Sequence, residues 1–281
     1  MNLPAVIIPV FNAFEHVQAC LESVAAASPG GTRSECYKVL LIDDASTDER
    51  ILPLLERWVN EGPARSLHTN DRNRGFVFSI NHGIAHVSGD VVLLNSDTLV
   101  TPGWLEALAN CLAFDPEIAT ATPWSNNGEI VSFPHFCSAG PVPENPAELA
   151  AAIRSAGSPV YPELPTAVGF CMAISRQAIE RIGLFDEETF GRGYGEENDF
   201  SMRAIAGGMK NVLCDNAYVA HHGGGSFVPL GLRPGSDSMR RLLGKHPRYQ
   251  KLIEEFIRQD PLAGRRQELI DSVHRWQGGI R

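Results

Sequence analysis

Glu196, Glu197 and Asp199 stand within the short segment GYGEENDF, directly after Gly191, Gly193 and Gly195. Acids at the start of a helix are favoured electrostatically whatever they do. The glycines, however, describe a shaped loop that lets another molecule approach, and an acid held there can act as general base. Other chemistry-bearing residues recur at the ends of aliphatic runs. Pro9, Phe11 and Asn12 end AVIIPV, and Asp43–Asp44 end KVLLIDD. Asn95–Ser96–Asp97 end VVLL, and His221–His222 follow AYVA. Each set has a plain structural reading. Asp43 and Asp44 precede a helix N-terminus, though Ser46 already supplies a cap there. A carboxylate at that point can also accept a hydrogen bond from a nucleobase N–H or a ribose hydroxyl. Asn95–Ser96–Asp97 alone is an Asx turn, and the histidines alone are a solvated loop. In an open α/β sheet, however, ligands gather at the carboxyl ends of the strands, so these polar ends point to one site.

The elements that would carry these residues follow from periodicity. After AVIIPV, Phe14, Val17, Leu21 and Val24 repeat at helical spacing. KVLLIDD is a second strand, and STDE (46–49) predicts a capping box with Ser46 as N-cap and Glu49 reaching back. Ile51, Leu54, Leu55 and Trp58 form that helix's buried stripe. SLHTN reads as a third strand, with a helix through Phe76, Ile80 and Ile84, and VVLLNSD as a fourth. Thr101 and Pro102 predict N-cap and N1 of a helix bearing Leu105, Leu108 and Leu112, and IATAT closes the series. Strands alternating with helices predict a mostly parallel sheet covered on both faces. Residues 123–166, dense in proline, asparagine and glycine, read as an insertion that shapes a second substrate's pocket; only Asn145–Pro146–Ala147–Glu148 signals a helix start there. AVGFCMAIS, NVLC and AYVA are further strands, and from about residue 228 the chain reads as a charged helical tail with Tyr249, Ile253 and Phe256 on one stripe.

Composition bounds the rest. A chain of 281 residues can bury a core without disulfides. Its net charge of −9 argues against nucleic acid as a partner, although a divalent cation can bridge an acidic protein to an anionic nucleotide. None of the six cysteines forms a CxxC pair. The start has no signal-peptide pattern, and no apolar run reaches the ~18 residues that a bilayer span needs. The expectation is a reduced protein of the cytoplasm, with a peripheral place at the inner membrane face left open.

The order PVFN, IDDASTDE, NRGF, LLNSDTLVTPGW, GEENDF and HHGGGS resembles family-2 glycosyltransferases of the GT-A fold, over roughly residues 4–227. The individual motifs are short; their order and strand-end placement carry the resemblance. It implies a GT-A-type, Rossmann-like α/β domain over 1–227, with a nucleotide-binding half (1–122) and an acceptor and catalytic half (123–227), plus a C-terminal helical extension (228–281). By resemblance, Asp43 and Asp44 hold the base and ribose, with Phe11 and its neighbours lining the base pocket. Arg72, Asn73 and Arg74 help to place the nucleotide. Asn95–Ser96–Asp97 occupies the DxD position, Asp97 being the metal-binding carboxylate and His221 completing the metal site. Glu197 stands at the catalytic base, with Glu196 and Asp199 as alternatives and His222 as an alternative to His221. Two positions depart from the usual pattern. Asn95 replaces the first aspartate, as in rhamnosyltransferase-like members, and Glu197 replaces the aspartate of the Glu–Asp pair.

The resemblance therefore implies an inverting transferase that uses Mn²⁺ or Mg²⁺ and a UDP- or dTDP-sugar. Its acceptor would be a hydroxyl on a glycan, a lipid-linked glycan or a protein, in surface polysaccharide or glycan synthesis. The tail would serve as an acceptor platform, a homodimer contact or a join to a further domain. A dehydrogenase would need GxGxxG after the first strand, and a nucleotidyltransferase a glycine-rich basic loop. Neither is present, which leaves a non-catalytic sugar-nucleotide or glycan-binding domain as the competing reading.

Overall fold

The run AVIIPV is aliphatic at every position because both faces of its strand are covered. In the computed structural model, which describes residues 3–27, 37–191, 193–223 and 236–279, Val6, Ile8 and Val10 pack into one core and Ile7 into another on the opposite face. The first half alternates as expected: β1 (Ala5–Val10), α1 (Phe14–Ala27), β2 (Val39–Asp43), α2 (Ile51–Asn60), β3 (Arg65–Thr69), α3 (Phe76–His86) and β4 (Val91–Leu94). Next come the short β5 (Thr98–Leu99), α4 (Trp104–Phe114) and β6 (Ile118–Trp124). The second half holds α5 (Pro146–Ser155), β7 (Glu163–Leu164), β8 (Cys171–Ile174), α6 (Arg176–Ile182), α7 (Glu187–Phe190), α8 (Glu196–Ala206), β9 (Lys210–Tyr218) and β10 (Ala220–His221). The chain ends with α9 (Ser236–Lys245), α10 (Tyr249–Gln259) and α11 (Ala263–Gly279).

The main sheet has the order β3-β2-β1-β4-β8-β6-β9-β7. β1, β2, β3, β4, β6 and β9 run one way, and β7 and β8 run against them. This is a mostly parallel α/β sheet of GT-A type. Helices α1, α2 and α4 cover one face, while α3, α6 and α8 cover the other. α3 lies very close to the sheet: a Cβ on Gly83 would come within 2.6 Å of Ile7 Cγ2.

The sheet corrects the simple serial reading in one respect. IATAT (within β6) does not lie next to VVLL; β8 inserts antiparallel between them, pairing Leu94 with Cys171 and Ala121 with Ala173. NVLC and the start of AYVA belong to one strand, β9. Two helix starts also differ. α2 begins at Ile51, because Ser46 Oγ accepts from the N–H of Asn12 and Asp48 Oδ1 accepts from the N–H of Arg50, so the expected capping box is not formed. α4 begins at Trp104, because the Thr101 hydroxyl donates to the carbonyl of Tyr218. Both expected caps are drawn into long-range contacts. The Asn145 cap is as expected: its side chain accepts from the N–H of Glu148.

The C-terminal helices pack against the sheet domain. Asp215, a buried β9 residue, takes the N–H groups of Val160 and Tyr161 and pairs with Arg265 of α11 at 2.6 Å. The Ser272 hydroxyl donates to the carbonyl of Ala152 in α5. No helix among the described residues is long and apolar enough to cross a membrane. The start of the expected tail (228–235) and the glycine-rich stretch from residue 224 lie outside the described residues.

Candidate active site

At the carboxyl ends of β1, β2 and β4 the sheet opens into a cleft of about 570 Å³. Of the residues singled out in the sequence, Pro9, Phe11, Asp44, Asn73, Asn95, Ser96, Asp97, Glu196, Glu197 and His221 line it. Asn12, Asp43, Arg72, Arg74, Asp199 and His222 are not among the lining residues.

The neighbouring loops explain much of this division. Asn12 Oδ1 accepts from the N–H groups of Thr47 and Asp48, stitching the loop after β1 to the loop after β2. Asp43 Oδ1 takes the N–H of Ser46. Asp44 organises the loop before α3: its carboxylate accepts from Asn70 Nδ2, from the N–H of Arg74 at 2.7 Å and from the N–H of Gly75 at 2.8 Å. A carboxylate has about four acceptor positions, so Asp44 can do this and still face the cleft. The guanidinium of Arg74 lies over the Phe78 ring.

Asp97 and His221 are far apart in sequence and are joined by a two-stranded ribbon. β5 pairs antiparallel with β10, setting Thr98 opposite His221, and the N–H of His222 donates to the carbonyl of Asp97. His221 Nε2 lies 3.4 Å from Asp97 Oδ1. Its Nδ1 lies 2.7 Å from the carbonyl of Asn127, and its ring stacks on Phe170. The Asn126 side chain brackets the same residue, accepting from its N–H and donating to its carbonyl. Burial lowers the His221 pKa, but Asp97 more than reverses this and the net shift is upward. A neutral imidazole that gives its Nδ1 proton to Asn127 presents a lone pair at Nε2 beside a carboxylate oxygen, a donor set suited to a divalent cation. Among the described residues, no group of three or more His, Cys, Asp or Glu side chains is arranged to hold a metal ion. His222 instead packs its ring against His16.

Across the cleft, α8 begins with the acids. Gly195, at φ +101°, turns the chain into the helix with Phe190 packed close behind it. Glu196 is 5 % exposed, and among the described residues its Oε2 has no hydrogen-bond partner. Burial, then the neighbouring Glu197, holds its carboxyl well above the usual range. Glu197 Oε2 accepts from the N–H of Gly195 and its Oε1 from Asn198 Nδ2. Burial raises the Glu197 pKa to about 7, against these stabilising bonds. A carboxyl poised there is matched to proton transfer near neutrality. Asp199 faces away from the cleft. It is fully buried and takes Arg203 at 2.8 Å, Lys245 at 2.7 Å and His246 at 2.8 Å. Burial pushes its pKa up, but the hydrogen bonds from Lys245, His246 and Arg203 outweigh that and keep it low.

The structure adds cleft residues that the sequence did not single out for chemistry. Glu129, Tyr194 and Asn198 line the cleft, as do Met239, Leu242 and Tyr249 from the C-terminal helices. Glu129 keeps contact with solvent, yet the protein crowding the cleft wall still pushes its carboxyl up. The polar run SNNGE, set in the irregular 123–166 region, was the available signal for Asn126, Asn127 and Glu129.

The family model described as Glycosyl transferase family 2 matches residues 5–183. The chain belongs to glycosyltransferase family 2. The glycosyltransferase is 33% identical over 98 residues to the undecaprenyl-phosphate 4-deoxy-4-formamido-L-arabinose transferase of Klebsiella pneumoniae subsp. pneumoniae, a match covering 35% of this chain and 29% of that protein. It thus spans under a third of the length of the curated relatives it matches. GalNAc-T7 with UDP, GalNAc and Mn²⁺ superposes with a TM-score of 0.61 at 16% identity, over 86% of this chain and 48% of that one. The mannosyltransferase PcManGT of Pyrobaculum calidifontis, in complex with GDP-Man and Mn²⁺, gives 0.57 at 17% identity, over 98% and 74%. TarS (residues 1–349) of S. aureus, in complex with UDP, gives 0.54 at 17% identity, over 77% and 60%. At these identities the superpositions speak for the fold of the glycosyltransferase.

Proposed function

We propose that this family-2 glycosyltransferase moves a sugar, with inversion, from a nucleoside-diphosphate donor to an acceptor hydroxyl. The observation that carries the reading is the meeting, in one cleft, of Asp97 and His221 on one wall with the buried Glu196 and half-buried Glu197 on another. Phe11 and Asp44 receive the nucleoside, Asp44 accepting from a base N–H or a ribose hydroxyl. Asn73 lines the same end, and Asn95 offers an amide to ribose or phosphate. Asp97 and His221 would hold a Mn²⁺ or Mg²⁺, which would supply charge stabilisation for the departing diphosphate. Glu197 takes the proton of the acceptor hydroxyl as that oxygen attacks C1 from the face opposite the diphosphate. A single displacement of this kind inverts the anomeric centre. Glu196, whose carboxyl burial holds well above the usual range, disfavours two adjacent negative charges in the pair.

The donor is a UDP- or dTDP-sugar, both bases offering an N–H to a carboxylate. The acceptor is a glycan, lipid-linked glycan or protein hydroxyl in surface polysaccharide or glycan synthesis. The Klebsiella relative's undecaprenyl-phosphate substrate lends support to the lipid-linked class. The test is release of nucleoside diphosphate against a panel of UDP-, dTDP- and GDP-sugars with Mn²⁺. One or more donors should turn over slowly with water as acceptor, and Glu197→Gln and Asp97→Ala should each lower acceptor-stimulated transfer by at least about 100-fold. Wild-type rates in both variants would refute the assignment. Donor binding without any turnover would favour a sugar-nucleotide-binding module.

A further inference from the structure

The surroundings of the Glu197 carboxyl extend to a helix beyond the residues that the family model matches. Asn198 Nδ2 donates to Glu197 Oε1 at 3.0 Å. Asn198 Oδ1 accepts from the phenol of Tyr249 at 2.8 Å, and the Thr166 hydroxyl lies 2.8 Å from the same oxygen. Tyr249 opens α10, is 8% exposed and lines the cleft. We propose that Tyr249 is a positioning residue for the base: acting through Asn198, it holds the Glu197 carboxyl ready to take the acceptor's proton. This rests on the reading of Glu197 as that base.

An amide has an acceptor end and a donor end. With two hydroxyls at its oxygen, Asn198 must turn its NH₂ toward Glu197, and a carboxylate accepts that bond better than a neutral acid. The phenol can serve throughout the working range, since burial raises its pKa and keeps it a donor. Among the described residues, the titratable groups facing Glu197 supply no positive charge. They are Glu196, Glu129, Tyr194 and Tyr249 itself. The nearby cations Arg203 and Lys245, and the His246 ring, are paired with Asp199. Among the described residues, the backbone N–H groups of Glu197 and Gly195 and the amide of Asn198 favour the ionised base, and Tyr249 sets the last of these.

The test reads Glu197 directly, by ¹³C NMR titration of protein labelled at glutamate Cδ, with the signal assigned by its loss in Glu197→Gln. Tyr249→Phe keeps the ring and removes the hydroxyl. It should raise the titration midpoint by about half a pH unit or more, equivalent to a loss of about threefold in ionised base below the midpoint. With the donor that turns over in the panel, kcat below the midpoint should fall by the same factor while the donor KM stays unchanged. Asn198→Leu should raise the midpoint at least as far, and Tyr249→Phe should add nothing in that background. If Tyr249→Phe fails to fold, Thr166→Val, which removes the other hydroxyl at Asn198 Oδ1, must raise the midpoint instead. An unmoved midpoint, or a Tyr249→Phe shift that adds in full to that of Asn198→Leu, overturns the inference. Full activity in Glu197→Gln would instead sink the base assignment, and the NMR titration keeps the two failures apart.

Discussion

The burial that raises the Glu197 pKa should also cost stability, and Glu197→Gln exposes that cost. The carboxyl is raised from its ordinary 4.5 to about 7. At 1.36 kcal/mol per unit, ionising it in the folded state is disfavoured by about 3 kcal/mol relative to the unfolded chain. The sign follows from proton binding. Between pH 4.5 and 7 the folded state binds more protons than the unfolded one, so this group lowers stability as pH rises through that window. A neutral glutamine escapes the penalty. It loses part of the local bonding, because Glu197 accepts at both oxygens, from Gly195 and Asn198, and an amide has one oxygen. That loss is about 1 kcal/mol. Glu197→Gln is therefore expected to be about 2 kcal/mol more stable than wild type at pH 8, which is a rise of about 4 °C in Tm for a chain of this size. At pH 5 the penalty it escapes is only about 1 kcal/mol, so its Tm should match that of wild type. Calorimetric scans of both proteins at pH 5, 6.5 and 8 measure the difference. A Tm gain independent of pH, or one that shrinks as pH rises, would refute the reasoning that desolvation of this carboxyl sets its pKa.

Three further outcomes are expected. His221→Ala removes the imidazole beside Asp97 and should weaken UDP binding in the presence of Mn²⁺ by at least about tenfold by titration calorimetry, while UDP binding without a divalent ion changes little. Gly83→Ala sets a methyl 2.6 Å from Ile7 Cγ2 and 2.9 Å from Ile42 Cδ1, so urea unfolding should show a loss of about 1–3 kcal/mol. Arg265→Met leaves the buried Asp215 carboxylate with only its backbone donors and should cost about 3 kcal/mol by the same measurement.

Much of the first half of the chain was legible because its signals are local. A continuous aliphatic run such as AVIIPV implies a strand covered on both faces, and the helical stripe Ile51–Leu54–Leu55–Trp58 is buried as its spacing demands. Polar residues at strand ends mark a cleft because a parallel sheet carries its loops to one edge. Helix starts were less legible. Ser46 and Thr101 have the chemistry of caps, but Asn12 and the Tyr218 carbonyl claimed their hydroxyls from 34 and 117 residues away. No local pattern encodes such competition. The antiparallel β8 was also hidden, since an aliphatic run carries no mark of direction.

For the site, the sequence by itself determined which side chains were available: Asp97, Glu196, Glu197, Asp199 and two histidines, each at the edge of an apolar element. Only the tertiary structure decided among them. The β5–β10 ribbon sets His221, rather than His222, beside Asp97. The cations of α8 and α9, and the histidine that follows, occupy Asp199 and leave Glu196 and Glu197 to the cleft. The physical reason is that both choices rest on desolvation and on pairing across the chain. Charge and burial of this kind belong to the packed arrangement rather than to any stretch of residues.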